Sequence, residues 1–174
     1  MEFERFKALF IGLAAAAAAG ETGCGILEPA KMAPVVLAYI GDAVFTLFVR
    51  TRLIEYERDK INVLHAYTSR AVSAAMQARA LFALWPDLAG DEREIVRRGR
   101  NAKSQPPKSA SVAEYKHSTG FEALLGYLFL SGQDERLAQL ADKAFAIIAR
   151  EMGGYPRRKE KITGDAGQTC EPYT

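Results

Sequence analysis

The 174-residue sequence predicts an all-α fold. Three observations carry that expectation. Two apolar runs, 35–53 and 112–130, are too long for strands and contain no interior proline. Two further stretches, 61–84 and 135–152, are rich in alanine and repeat their larger apolar residues at helical spacing. Between them there is no convincing strand pair and no internal repeat. With 49% hydrophobic and 25% charged residues, the composition is that of a soluble globular protein, and the length suits one domain with tails. A net charge of +2 points to no partner by itself, so the placement of the charges has to carry the functional argument.

In chain order, residues 1–30 form an alanine-rich N-terminal extension. Its apolar run, 8–19, is too short to span a bilayer. Glu2 and Glu4 offset Arg5 and Lys7 where a secretory signal would want net positive charge, so a surface helix or a loose extension is the expectation. Residues 20–25 are a breaker-rich link. Cys24 and Cys170 match no metal spacing and no disulfide framework, which fits a reducing cytoplasm and gives no role to a membrane.

The domain proper is expected over 31–153. Pro34 suits a first helical turn, and the run 35–53 reads as a buried helix with Arg50 and Arg52 near its C-terminal end. Residues 55–60 are a polar connection. The stretch 61–84 is one long helix or two abutting ones, stopped by "WPDLAG". "DERE" (91–94) reads as a capping box, with Asp91 capping and Glu94 reaching back, and Gly99 is a weak point in the helix that follows. "SQPPKSAS" is a loop, because Pro106 and Pro107 forbid continuation. The run 112–130 is a second long apolar helix. "SGQD" is a turn with Asp134 as a candidate N-cap, and 135–152 is amphipathic, with Leu137, Leu140, Ala144 and Ile148 on one face. Residues 154–174 are polar and rich in breakers, the pattern of a disordered tail.

Two charges stand out. Asp42 is the only charge between Lys31 and Arg50, and Glu122 the only one between Lys116 and Asp134. A buried carboxylate without a partner costs several kcal/mol. Small residues flank both: Gly41 and Ala43, and Gly120 and Ala123, leaving room for water, an ion or a closely approaching helix. Two buried carboxylates side by side repel, so one protonates or a cation sits between them. Oxygen ligands favour hard cations, and Mg²⁺ takes one or two protein carboxylates while keeping several waters. Such a site suits phosphodiester hydrolysis. The plainer reading pairs each acid with an arginine or a hydroxyl inside the bundle. The segment 97–108 tips the balance: Arg97, Arg98, Arg100, Lys103 and Lys108, with Asn101 among them and no acid, form a phosphate-binding footprint.

These residues resemble a known family. "LAYIGDAVF" resembles the signature helix of ribonuclease III domains, and "FEALLGYLFL" that family's second catalytic helix. With "RRGRNAKS" and "LHAYTSRAVSAAMQARAL", the order of segments is similar to Mini-ribonuclease III, the compact branch that has the nuclease domain without a double-stranded-RNA-binding domain. The resemblance covers 33–152. It implies an all-α homodimer with double-stranded RNA lying across a valley between two active sites. It implies Asp42 and Glu122 as the catalytic, metal-binding acids, with Mg²⁺ as cofactor and Mn²⁺ as its substitute. The implied products carry 5′-phosphates, and the implied substrate is the large-subunit (23S) ribosomal RNA precursor. The basic segment would line the RNA path. Lys116, Ser118 and Thr119, within about two turns before Glu122, would support the acid or a metal-bound water. His117 is read as exposed or structural, and His65 more firmly so.

The chain departs from the larger ribonuclease III pattern at Ala38 and Thr119, where that pattern has acids, and carries Thr46 where the compact branch often has one. That leaves two carboxylates per site. A catalytically silent, ribosome-associated RNA-binding module is the alternative such losses would fit, and a helical protein-interaction module with structural acids is a third.

Overall fold

The structure, a computed structural model, describes residues 19, 28–58, 60–102 and 111–153. Expectations for most of the alanine-rich extension, both cysteines, Lys103, Lys108, the diproline loop and the tail fall outside those residues. Six α-helices are described: α1 (Pro34–Ile54), α2 (Ile61–Ala71), α3 (Ala74–Leu84), α4 (Gly90–Arg100), α5 (Val112–Leu130) and α6 (Asp134–Glu151). Short 3₁₀ turns at Pro29–Lys31 and Trp85–Asp87 precede α1 and α4. There is no strand among the described residues.

The central element is α5. It is apolar nearly all round, and Phe121, Ala123, Leu124, Leu125 and Leu128 are fully buried. Helices α1, α3, α4 and α6 pack against it. The main core joins Phe45 and Val49 of α1, Leu81 and Leu84 of α3, the α5 residues, and Leu140 and Ile148 of α6. Phe45 meets Phe121 edge to face at a centroid distance of 5.0 Å. A smaller cluster of Leu37, Ala38, Ile95 and Ala123 lies where α1, α4 and α5 meet.

The expected buried first helix is half right. Leu37, Ala38, Gly41, Phe45 and Val49 of α1 are buried, but Val35, Val36, Tyr39 and Leu47 on its other side are exposed. α1 is long and apolar enough to cross a membrane by length and composition, yet its buried stripe is sealed against α5.

Glycines set how closely the helices pack. A Cβ at Gly41 would overlap the carbonyl oxygen of Glu122 and lie 2.8 Å from the Gly126 nitrogen; one at Gly126 would overlap the Leu37 carbonyl oxygen. The backbones of α1 and α5 therefore cross in direct contact. Gly99 plays the same part between α4 and α5, 2.8 Å from the Gly120 Cα by the same measure. It is a packing site in the last turn of α4, which ends at Arg100, so the expected weak point falls at the end of the helix.

The stretch 61–84 divides into α2 and α3 at Val72 and Ser73, where the Ser73 hydroxyl donates to the Arg70 carbonyl. The caps differ from expectation in three places. α4 starts two residues earlier than that capping box implies, with Ala89 at the cap position, and it is Glu92, not Glu94, that accepts from the Ala89 N–H at 2.7 Å. α5 has a full capping box that was not foreseen, Ser111 with Glu114. Asp134 is the first residue of α6 rather than its cap, which is Gln133. Glu92 is nearly fully buried and is held by Arg136 through two bonds of 2.7 and 2.9 Å, tying α4 to α6. That guanidinium, more than any other group, keeps the Glu92 carboxyl below its usual range.

Candidate active site

The α1–α5 crossing brings Asp42 and Glu122 together. Gly41 precedes Asp42 and rests on the Glu122 backbone itself, so the two side chains leave the crossing as neighbours. Their environments are unequal. Asp42 is exposed, which corrects the expectation of two buried acids, whereas Glu122 is partly buried. Burial first, and the Asp42 charge second, push the Glu122 carboxyl up to about 8. In the metal-free protein at neutral pH, Glu122 therefore holds its proton in most molecules.

The plainer reading of the acids does not hold among the described residues, where neither Asp42 nor Glu122 forms an ion pair. The hydroxyls of Ser118 and Thr119, buried one turn before Glu122, both donate to the Tyr115 carbonyl, at 2.9 and 3.0 Å. Their protons are thus taken by their own helix and do not reach the acid. Lys116 is exposed. His117 bonds the Ala113 carbonyl through Nδ1 at 2.7 Å and packs on Phe82 at a centroid distance of 4.6 Å, a structural role as expected. His65 is exposed.

Gln77 of α3 was missed. It is fully buried, its amide faces Glu122, and it works against the rise of that carboxyl. The approach stops short of hydrogen-bond geometry, so both Nε2 and Oε1 are unpartnered among the described residues. The sequence held a usable signal. Gln77 lies four and seven residues before Leu81 and Leu84, so a polar amide occupies the core face of α3.

The basic segment does not act as one unit. Arg97 is exposed and pairs with Glu94 at 3.0 Å, on the rim of a shallow depression of about 490 Å³ that Asn101 and Val35 also line. Arg98 turns inward and binds the Ala30 and Met32 carbonyls at 2.5 and 2.6 Å, fixing the turn before α1. Arg100 lines a pocket of about 260 Å³ with Phe82, Trp85, His117 and Arg97, which borders both hollows. Arg97 and Arg100, three residues apart, share one face of α4, whereas Arg98, about 100° from Arg97, is taken up by the chain before α1.

No group of three or more His, Cys, Asp or Glu side chains gathers among the described residues, so the acids at this site number two. Their chemistry fits a hard divalent cation. A positive charge between them would remove the repulsion that raises Glu122, and the buried Gln77 amide offers one more oxygen on that side.

The fold and this pair of acids define a helical nuclease domain of the ribonuclease III type, and the model of the Ribonuclease III domain matches residues 35–133. Mini-ribonuclease 3 of Symbiobacterium thermophilum is 48% identical over 126 residues, covering 72% of this chain and 97% of that one. Mini-ribonuclease 3 of Brevibacillus brevis is 46% identical over 125 residues, 71% and 93% of the two chains. A crystal structure of a protein from Fusobacterium nucleatum matches with a TM-score of 0.60 at 27% identity, covering 64% of this chain and 90% of that one. The chain belongs to the ribonuclease III family, in its Mini-ribonuclease 3 branch, and is an endoribonuclease of that family.

Proposed function

We propose that this endoribonuclease cleaves double-stranded RNA with the help of Mg²⁺, or Mn²⁺ in its place, held by Asp42 and Glu122, and that it matures the large-subunit (23S) ribosomal RNA precursor in the cytoplasm. One observation carries the catalytic part: the glycine crossing sets Asp42 beside a Glu122 whose carboxyl is raised to about 8. Desolvation and like charge on one acid are the signature of a site prepared for something positive. The ribosomal RNA assignment rests on the similarity to the Mini-ribonuclease 3 branch.

Bound there, a divalent cation supplies an activated water and charge stabilisation at the leaving oxygen. The chain's own residues do the rest. Asp42, exposed, and Glu122, partly buried, would be the two residues that hold the cation, Glu122 as its carboxylate with the proton given up to solvent. Arg97, Arg100 and Asn101, with Lys103 and Lys108 further along the chain, take RNA phosphates and set the position of the duplex. A-form RNA shows side chains little readable sequence, so duplex geometry governs selection. The products carry 5′-phosphates and 3′-hydroxyls.

The active form is a homodimer. The exposed face of α1, with Val35, Val36, Tyr39 and Leu47, is too apolar to stay in water and runs beside Asp42. Sedimentation at micromolar concentration should give twice the 19.1 kDa chain mass. The deciding experiment is cleavage of a long RNA duplex with Mg²⁺, beside a chelator control, Asp42→Asn and Glu122→Gln. Discrete products that need the metal and both acids support the reading. If wild type and both variants bind duplex RNA but leave it intact, the protein is a silent binding module.

A further inference from the structure

Gln77 is wholly buried, and among the described residues neither its Nε2 nor its Oε1 has a hydrogen-bond partner. Buried polar groups in native proteins are nearly always satisfied, so an amide with both ends free calls for a cause. Packing does not supply one, since leucine or methionine would fill the same space without a polar cost. Position does. Gln77 sits on the face of α3 that carries Leu81 and Leu84 into the core beside α5, and its amide faces Glu122.

The chemistry of an amide fixes how it can act there. Only its N–H₂ can face an ionised carboxylate, because the carbonyl oxygen would repel it. With Nε2 turned to Glu122, Oε1 is left as a free acceptor beside the acid pair. That pair brings two carboxylates only, which leaves most of the shell of a hard cation to water, and those waters need acceptors. Carboxylate ligands also need outer hydrogen bonds to fix their orientation.

The geometry points to Gln77 as a positioning residue: its amide N–H₂ orients the Glu122 carboxylate, and its carbonyl oxygen accepts a hydrogen bond from the water shell of a divalent cation held by Glu122 and Asp42. This rests on the proposed reading of the acid pair as a cation site.

The test uses the full chain and Mn²⁺ as probe. Free Mn²⁺ is followed by its paramagnetic resonance signal in titrations of wild type, Gln77→Met, Gln77→Leu and Asp42→Asn, beside thermal melts without metal. Methionine keeps the length of the side chain and removes the amide. The expected result is Mn²⁺ binding about tenfold weaker in Gln77→Met, in line with the loss of an outer-shell partner, with an unchanged or higher melting temperature without metal. Duplex cleavage should show an unchanged KM for RNA and a lowered kcat at limiting Mn²⁺ that recovers at high Mn²⁺. Gln77→Leu gives the same comparison if the methionine variant folds poorly. If Mn²⁺ binds both Gln77 variants as it binds wild type while Asp42→Asn loses it, Gln77 has no such role and the acid pair stands. A drop in melting temperature with unchanged Mn²⁺ affinity overturns the proposal as well, by making the amide structural. If wild type binds no Mn²⁺, the acid-pair reading falls and takes this inference with it.

Discussion

Replacing Gly41 by alanine should break the site and the fold together. The added Cβ would overlap the Glu122 carbonyl oxygen and lie 2.7 Å from its carbonyl carbon and 2.8 Å from the Gly126 nitrogen, where 3.4 Å or more is ordinary contact. All three are backbone atoms of α5, so no side chain can rotate away. Restoring contact requires the helices to part by roughly an ångström, and a close-packed interior resists that. Overpacking by extra methylenes costs about 1–3 kcal/mol where side chains can adjust. With backbone on both sides, the upper end, about 3 kcal/mol, is the expectation. A displacement of about 1 Å at a reacting centre can cost about a hundredfold in rate, and this one falls between Asp42 and Glu122. Circular dichroism during urea unfolding and initial rates on duplex RNA at saturating Mg²⁺ measure the two effects. Gly90→Ala is the control, since a Cβ there meets nothing within 4 Å and should change stability by less than about 0.5 kcal/mol. Gly126→Ala strikes the same crossing from the other helix, so the double variant should lose much less than the two single losses combined. A Gly41→Ala protein with wild-type stability and wild-type rate would refute the close crossing and, with it, the geometry of the acid pair.

Glu122→Gln should raise the metal-free melting temperature at pH 8 and leave it unchanged at pH 4. The folded value of about 8 lies above the ordinary 4.5, so the stability linked to this group is full below 4.5 and is lost as pH rises through 8. At about 1.4 kcal/mol per unit, a shift of roughly 3.5 units gives an upper bound near 5 kcal/mol, which partial solvation reduces. By the same linkage, cleavage at limiting Mg²⁺ should climb up to about tenfold per pH unit between 6 and 8 and flatten above, as a pH–rate profile will show. Arg136→Met should strand the buried Glu92 and cost about 2–4 kcal/mol at neutral pH. That loss should shrink in acid, because the stability due to a lowered carboxyl is present above 4.5 and fades as pH falls through the folded value. Arg100→Ala should lower the slope of RNA affinity against salt by about one, whereas Arg98→Ala should leave the slope alone and speed amide exchange in the Pro29–Lys31 turn that Arg98 holds.

What the sequence showed and what it hid divide along physical lines. α1 and α5 were legible almost to the residue, because a 19-residue apolar run without proline has few other solutions. Which of them is central was not, because both are apolar on most faces and only packing decides. The local motif "DERE" misplaced the cap of α4, since the Trp85–Asp87 turn and the buried Leu88 fix where the chain enters the helix. Ser111 was absorbed into a loop that ends one residue before α5. The acids could be named from their isolation in apolar runs. Gln77 could not be joined to them, because nothing local links α3 to α5 across 45 residues. The directions of Arg97, Arg98 and Arg100 depend on what each meets: Glu94, two backbone carbonyls, and an aromatic pocket.

The asymmetry of the two acids answers the question that a lone aspartate in an apolar helix raises. The cost expected of Asp42 is small, because α1 turns that residue to solvent at the edge of its buried stripe. The cost falls instead on Glu122, where burial and the neighbouring charge favour the protonated form. A single added proton then relieves most of the repulsion across a crossing that Gly41 and Gly126 hold too tight to open. On the proposed reading, a divalent cation would take over from that proton with no movement of the helices, only a change in what neutralises the pair. Such a site would, on that same reading, bind the cation more tightly as pH approaches 8. A rigid backbone contact, one solvated acid and one desolvated acid would suffice for that behaviour, without the additional carboxylates that the resemblance gives larger ribonuclease III sequences at the positions of Ala38 and Thr119.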